Sequence, residues 1–409
     1  MDQVSDLEFA SDTSPSGKAD SGKLKFDFVC LAVSNWSLVK SNPDYTFLGL
    51  AERGFRVLVV EPFESLPAAI RMAGIQKRRV KLDWGLRQVQ ENIWVYRPPP
   101  LALPGQSRSP MAARISGRLL AALVRRCIRK LNFGPVCTWS FMYNSGEFLR
   151  ALPSDLRIYE CGDDDAALAR TDSQRRTVRT LDKEACEAAD IVFAVTEELC
   201  APRRAVNPAT FEVNCGVDQE AFSVALDAHT EIPDSIAKLP KPILGYFGGL
   251  DPWKIDVPLI TGIAKLRPEW SLVFIGYVWF GFDKKPFDDQ PNIHVLGPKP
   301  YQDVPRFLKG MDIGLLPFPL NDITRNGDAL KCYEYLAAGL PVVGRSVPVA
   351  RRLNDLVEIA ETPEEFVVAC ERHLRDTTKT KRDRSDAMRS HDWRLRVEQK
   401  ISLIRKFAV

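Results

Sequence analysis

The stretch "DIGLLPFPLNDITRNGDALKCYEYLAAGLPVVGRS", Asp312 to Ser346, reads as strand, loop, helix and strand in succession. "DIGLLPF" is a short apolar run with the length of a buried strand, and Asn321 to Gly327 is turn-forming. A helix then begins near Asp328, a plausible N-cap. Gly339 stands at the C′ position, and Pro341 forbids continuation. "PVVGRS" starts the next strand. A strand leading through a helix to another strand implies parallel pairing with the helix on the sheet face.

The same alternation extends in both directions. Upstream, strands are expected at "ILGYFGGL" (243–250), "SLVFIG" (271–276) and "NIHVLG" (292–297), with helices near 257–266 and 301–309. "SVALDAHTEIPDSIAKLPKP" (223–242) is turn-rich and reads as a linker. Before it, "FDFVCLAV" (26–33), "DYTFLGLAERG" (44–54) and "FRVLVVEP" (55–62) form a second β-α-β start. Further strands follow at 92–99, 135–141, 156–162, 190–196 and 210–218. The expected organisation is a tail (1–23), a first domain (24–222), the linker, a second domain (243–385) and a helical segment (386–409) that returns towards the first domain. Both domains are α/β and Rossmann-like, and two such domains bind ligands in the cleft where their strand ends meet.

Composition sets bounds on function. Hydrophobic content of 45% and charged content of 27% suit a globular chain. The nine cysteines are scattered without a C-x-x-C, as expected of buried thiols in a reducing compartment, and no metal-binding pattern is visible among the four histidines. The first 23 residues are polar and lack the layout of a signal peptide, so they read as a disordered tail. With no long apolar run, the expectation is a cytoplasmic protein. Charge is uneven, however: fourteen Lys or Arg against two acidic residues between positions 71 and 130 make that stretch +12, so the remainder is 3 − 12 = −9. Such an excess points to an anionic partner.

Three segments bear on chemistry. "GYFGGLDPWK" places Gly248 and Gly249 after a strand, where bare backbone can approach a pyrophosphate, and Lys254 adds charge. Lys331 and Glu334 share one helix face. A Lys-x-x-Glu is ordinarily a solvated pair, but here it follows a loop at a strand's carboxyl end. The free amides of that helix start and Lys331 would hold an anion, while Glu334, one turn deeper, could accept ribose hydroxyls. Asp328 would repel a diphosphate and is expected to point away as a cap. Tyr333, on the apolar face, is grouped with this set. "NIHVLGPKPY" ends a strand at Gly297 to Lys299, whose backbone could read a nucleobase edge.

These segments, with "NIHVLGPKPYQDVPRFLKGMDIGLLPF" and "ALKCYEYLAAGLPVV", resemble the nucleotide-sugar domain of GT-B glycosyltransferases, close to glycosyltransferase family four. "GLAERGFRVLVVEP", "LRIYECGDDD", "ADIVFAVTEEL" and "VNCGVDQEAF" are similar to members that assemble bacterial polysaccharides. The resemblance covers residues 26 to 400. It implies two Rossmann-like domains facing each other across a cleft, with a nucleotide-sugar donor, commonly a UDP-sugar, and a lipid-linked or saccharide acceptor. It also implies phosphate contact by Lys331 and ribose contact by Glu334, with Gly248, Gly249 and Lys254 forming the glycine loop. Many members carry Glu where this chain has Asn326, which is still expected among the donor-binding residues, and Arg where it has Gly249, which leaves the sugar and the stereochemical course open. No cofactor or metal is expected, since such enzymes meet phosphate charge with amides and basic residues.

"ECGDDDAAL" (160–168) holds a D-x-D pattern that could equally be a helix cap. The expected functional role is a base: Asp163 or Asp164 taking the acceptor hydroxyl's proton, with Asp44 as rival. The segment "MAARISGRLLAALVRRCIRKLNF" (111–133) has an apolar stripe at Met111, Ile115, Leu119, Leu123, Ile128 and Leu131. Its arginines, notably Arg118, Arg125, Arg126 and Arg129, extended by Arg78 and Arg79, would meet anionic lipid at the inner face of the plasma membrane. Nucleic acid is not expected, because no binding motif accompanies the charge. A same-fold nucleotide-sugar epimerase and a non-catalytic sugar-nucleotide sensor are the alternatives.

Overall fold

The computed structural model describes residues 24–36, 41–75, 84–376 and 378–407. The N-terminal stretch 1–23 and both Arg78 and Arg79 lie outside the described residues. The first sheet holds β1 (Asp27–Leu31), β2 (Val57–Val60), β3 (Gly85–Gln90), β4 (Ile93–Arg97), β5 (Val136–Ser140), β6 (Leu156–Cys161), β7 (Ile191–Ala194) and β8 (Thr210–Glu212). Its order is β3-β4-β2-β1-β5-β6-β7-β8, parallel except for β3, which forms an antiparallel hairpin with β4. β3 escapes the sequence reading because it is an edge strand, "GLRQVQ", with no fully buried residue.

The second sheet holds β9 (Ile243–Phe247), β10 (Ser271–Ile275), β11 (Ile293–Val295), β12 (Ile313–Leu316), β13 (Val342–Gly344) and β14 (Val357–Ile359). Its order is β11-β10-β9-β12-β13-β14, and every pairing is parallel. Chain direction across each sheet reverses beside one strand, β1 in the first and β9 in the second. Open parallel sheets leave a crevice at that point, beyond the carboxyl ends of the strands. The glycines at 248 and 249 follow β9 directly, and β12, next to β9, leads into the loop before Lys331.

The 223–242 segment is not a free linker. It carries a short helix, Asp234–Ala237, whose Ile236 is fully buried against the second domain. The closing helix, Trp393–Arg405, packs on α1 (Asn42–Glu52) of the first domain through Val397, beside Gly49. Its Lys400 is buried and pairs with Glu160 of β6 at 2.7 Å, while Asn42 and Trp139 also donate to Glu160. One apolar core runs from the first domain's Tyr45, Val195 and Phe222 into the second domain.

Two helices on the basic side of the first domain are α2 (Leu66–Ile75) and α3 (Pro110–Lys130). The buried face of α3 is Ala113, Gly117, Leu120, Val124 and Cys127, small enough for Gly117 to touch the backbone at Phe148. This corrects the expected stripe: Met111, Ile115 and Leu119 face solvent, with exposures of 72%, 48% and 37%. Small residues take the core face because the neighbouring helix, Gly146–Ala151, lies so close.

Candidate active site

Gly248 has φ +139, and a Cβ there would lie 2.1 Å from Cε of Lys331. Only glycine allows the lysine stem to cross the end of β9. Gly276, after β10, is equally constrained, since its Cβ would fall 1.9 Å from the Gly248 carbonyl oxygen. Lys331 Nζ stands 5.5 Å from the centroid of the Tyr246 ring, a cation–π contact. Tyr246 was not singled out from sequence, although strand alternation puts it on the same face as Gly248. Burial, followed by repulsion from Lys254, lowers the Lys331 ammonium to about 8, against the pull of Glu334, Asp251 and Asp163.

The Leu330–Ala337 helix begins at Ala329 with no side-chain cap, so its first amides lack that partner. The expected cap, Asp328, is buried instead. It accepts from the Cys215 amide at 2.8 Å and from the Tyr333 hydroxyl at 3.0 Å, and pairs with Arg352 at 2.6 Å. The carboxylate therefore turns from the helix axis and joins the two domains. Tyr333 is corrected likewise: it is fully buried within this network, on the apolar side of the helix, and does not line the cleft. Glu334 is buried and accepts from the Tyr301 hydroxyl at 2.5 Å. Burial raises its carboxyl above the usual range, while Tyr301 and Lys331 lower it. A ribose hydroxyl at Glu334 must share the carboxylate with this phenol. Tyr301 is a site residue that local pattern could not reveal, since its partner lies 33 positions away.

Asp163 and Asp164, adjacent in sequence, have separate surroundings. Asp164 caps the Ala166 amide at 3.2 Å and accepts from the Asn326 side chain at 2.9 Å. Asp163 lines a cavity of about 360 Å³ between the domains, together with Lys254, Lys331, Asn42 and Cys215. Solvent reaches it, yet the surrounding protein raises its carboxyl above the usual range, opposed by Lys254 and Lys331. Asp44, the rival, is committed to capping α1 and accepts from the Ser41 amide and hydroxyl at 2.8 and 2.7 Å.

Asn326 serves the domain contact: its amide reaches Asp164, and its carbonyl accepts from Thr196 at 2.6 Å. Gly297 adopts φ +70, and its carbonyl accepts from the Gly276 amide, tying the β11 loop to the glycine crossing. Lys299 is half-buried over the Phe307 ring. Gly249 packs against Trp279, which belongs to an exposed aromatic loop. Among the described residues, no group of three or more His, Cys, Asp or Glu is gathered for a metal. On the basic surface, Arg118 pairs with Glu147 at 2.6 Å, Arg125 donates to the Ala151 carbonyl, and Arg126 and Arg129 are exposed. No helix among the described residues is long and apolar enough to cross a membrane.

Residues 241–376 match the family model "Glycosyl transferases group 1". TuaH of Bacillus subtilis strain 168, provisionally named a teichuronic acid biosynthesis glycosyltransferase, is 28% identical over 288 residues. That match spans 63% of this chain and 68% of TuaH. The fold is shared with solved structures. Sucrose-phosphate synthase from Thermosynechococcus elongatus superposes with a TM-score of 0.68 at 14% identity, covering 93% of this chain and 99% of that one. A UDP-forming trehalose-phosphate synthase from Burkholderia xenovorans gives 0.69 at 12% identity, covering 94% and 100%. HepE from Anabaena, solved with UDP and glucose, gives 0.60 at 14% identity, covering 93% and 99%. The architecture is the GT-B fold, and its second domain carries the match to the group 1 glycosyl transferase model; these comparisons do not favour the epimerase or sensor alternatives.

Proposed function

We propose that this chain is a glycosyltransferase, moving a hexosyl unit from a UDP-sugar to a lipid-linked or saccharide acceptor in bacterial surface-polysaccharide assembly, without a metal. The observation that carries this reading is the convergence of Lys254, Lys331 and Asp163 on one interdomain cavity. Two cations from the second domain suit a diphosphate, and a carboxylate from the first domain suits an incoming hydroxyl. The name of TuaH supports a polysaccharide product, and the ligand of HepE supports UDP.

In the proposed reaction, Asp163 takes the proton of the acceptor hydroxyl as its oxygen bonds to the anomeric carbon. The bond from that carbon to the diphosphate oxygen breaks, and the electron pair leaves with the nucleotide. Lys331, Lys254 and the uncapped helix amides stabilise the charge that develops there. Asp163 acting as base implies inversion at the anomeric carbon, which NMR of the product reads directly.

The acceptor side is read from α3. Its exposed Met111, Ile115 and Leu119 stand among Arg114, Arg118, Arg125 and Arg129, and Leu103 packs beside it through a hydrogen bond to Ser116. Exposed apolar groups mixed with cations suit an anionic bilayer, each basic residue near the surface contributing about 1 kcal/mol. This would place a cytoplasmic enzyme at the inner face of the membrane.

Calorimetry with a panel of nucleotides and nucleotide sugars tests the donor site. One diphosphate should bind wild type and not Lys331→Ala; a folded wild type that binds none would remove the reading. Sedimentation with vesicles of anionic and neutral lipid tests the surface. Binding to anionic vesicles should fall at least tenfold in the triple variant Arg118→Glu, Arg125→Glu, Arg129→Glu, and unchanged binding would reject the membrane role.

A further inference from the structure

The two oxygens of the Glu334 carboxylate have different surroundings. Oε1 accepts from the Tyr301 hydroxyl at 2.5 Å, while Oε2 accepts from no described residue. The residue is only 5% exposed, yet Oε2 is not sealed off and keeps an opening to solvent. A carboxylate buried for stability alone is ordinarily paired and closed on both oxygens. One oxygen fixed and the other open make instead an acceptor of defined direction.

Tyr301 is held firmly enough to set that direction. Pro298 and Pro300 restrict the backbone before it. Its ring stands edge-on to Phe222 at 5.7 Å and tilted against Phe247 at 6.2 Å. Burial and the adjacent Glu334 carboxylate keep its phenol protonated, with the proton committed to Oε1. From the first domain, the Tyr45 hydroxyl of α1 meets the Tyr301 oxygen. A phenol has one proton to give, so along this chain Tyr45 donates to Tyr301 and Tyr301 to Glu334. Tyr45 is fixed in turn by stacking on Trp393, at 4.9 Å with 14° between the rings, where the closing helix begins. Hydrogen bonds in such a chain strengthen one another.

We propose that Tyr301 is a positioning residue that aims Glu334 Oε2 at a ribose hydroxyl of the donor, and that Tyr45 lets the first domain take part in that recognition. The inference rests on the donor-site reading, which supplies the ribose. Tyr301 does not touch the nucleotide in this account; it acts through the carboxylate. Burial raises the Glu334 carboxyl, and the Tyr301 hydrogen bond is the larger of the two influences that lower it again, ahead of Lys331. Without the phenol, Glu334 therefore loses both its orientation and part of its tendency to stay ionised as an acceptor. A site built to hydrogen-bond a hydroxyl rejects the analogue that lacks it, so the chain from Tyr45 to Glu334 sets a preference for intact ribose over a deoxyribose. Because Tyr45 and Tyr301 belong to different domains, that preference is at its full value only when the domains are in contact.

The test is calorimetric titration of the full chain with UDP, 2′-deoxy-UDP and 3′-deoxy-UDP, in wild type, Tyr301→Phe and Tyr45→Phe. Wild type should bind UDP about tenfold or more tightly than at least one deoxy form, the worth of a hydrogen bond to a charged group. Tyr301→Phe keeps the packed ring and removes only the hydroxyl. Its preference for UDP should shrink to within about threefold, while its affinity for the deoxy form stays within about twofold of wild type. Tyr45→Phe, one bond further away, should lower the preference by about twofold or more. If Tyr301→Phe does not fold, Tyr45→Phe reads the same ratio. A merely structural role for Tyr301 would weaken UDP and the deoxy forms equally and leave the ratio unchanged, and an unchanged ratio in either variant overturns the proposal. Wild type that binds all three nucleotides alike overturns it too, with the diphosphate site left standing. Wild type that binds none of them removes the UDP-donor reading and this inference together.

Discussion

Replacing Lys331 with methionine should stabilise the unliganded protein and abolish tight nucleotide binding. Methionine keeps the stem that crosses Gly248 and discards the ammonium. The ammonium's ordinary value of 10.5 falls to about 8 in the folded chain, so between those values the unfolded state binds more protons. Folded stability therefore rises as pH climbs from 8 to 10.5. Below pH 8 the folded chain carries the full cost of the buried charge, about 3 kcal/mol. A diphosphate offsets that cost, and a charge-assisted contact is worth about 1.5–3 kcal/mol, or roughly 10- to 150-fold in Kd. With the free lysine at about 8, its charged fraction falls roughly tenfold from pH 7 to pH 9. Wild-type affinity should weaken by a comparable factor, and Lys331→Met should show no such slope. The assays are calorimetric UDP titration at several pH values and thermal unfolding at pH 7, where the variant should melt several degrees higher. A variant that melts lower and binds UDP within twofold of wild type would refute the reasoning.

Three further outcomes are expected. Gly248→Ala combines a positive φ with a clash against the Lys331 stem, so UDP binding should be lost, with a stability cost on the order of 1–3 kcal/mol by denaturant unfolding. Asp163→Asn should lower kcat by about 10²–10⁴ with donor Kd little changed, whereas Asp164→Asn should act mainly through the Asn326 contact and cost far less in steady-state assays. Lys400→Met leaves the buried Glu160 carboxylate without its cation and should cost about 3–5 kcal/mol; adding Glu160→Gln should restore part of that, a non-additivity measurable in urea.

The α/β class and the strand–helix alternation were legible in the chain because buried parallel strands are continuous apolar runs bounded by turn residues. The position of the glycine pair was legible for the same reason, since a strand's end and a φ-permissive residue are both local signals. The pairing of Lys331 with Gly248 was not, because it joins residues 83 positions apart through the adjacency of β9 and β12. Local pattern misassigned Asp328 and Tyr333: an aspartate before a helix reads as a cap, yet Arg352 and the Cys215 amide hold it more strongly. The α3 stripe was misread because two apolar faces share one helix, and only the closeness of the neighbouring helix selects the small-residue face for the core. Asp163 and Asp164 are chemically identical in sequence. What separates them is tertiary: Asn326 arrives from the other domain to occupy one carboxylate, and the other is left facing two lysines across the cleft.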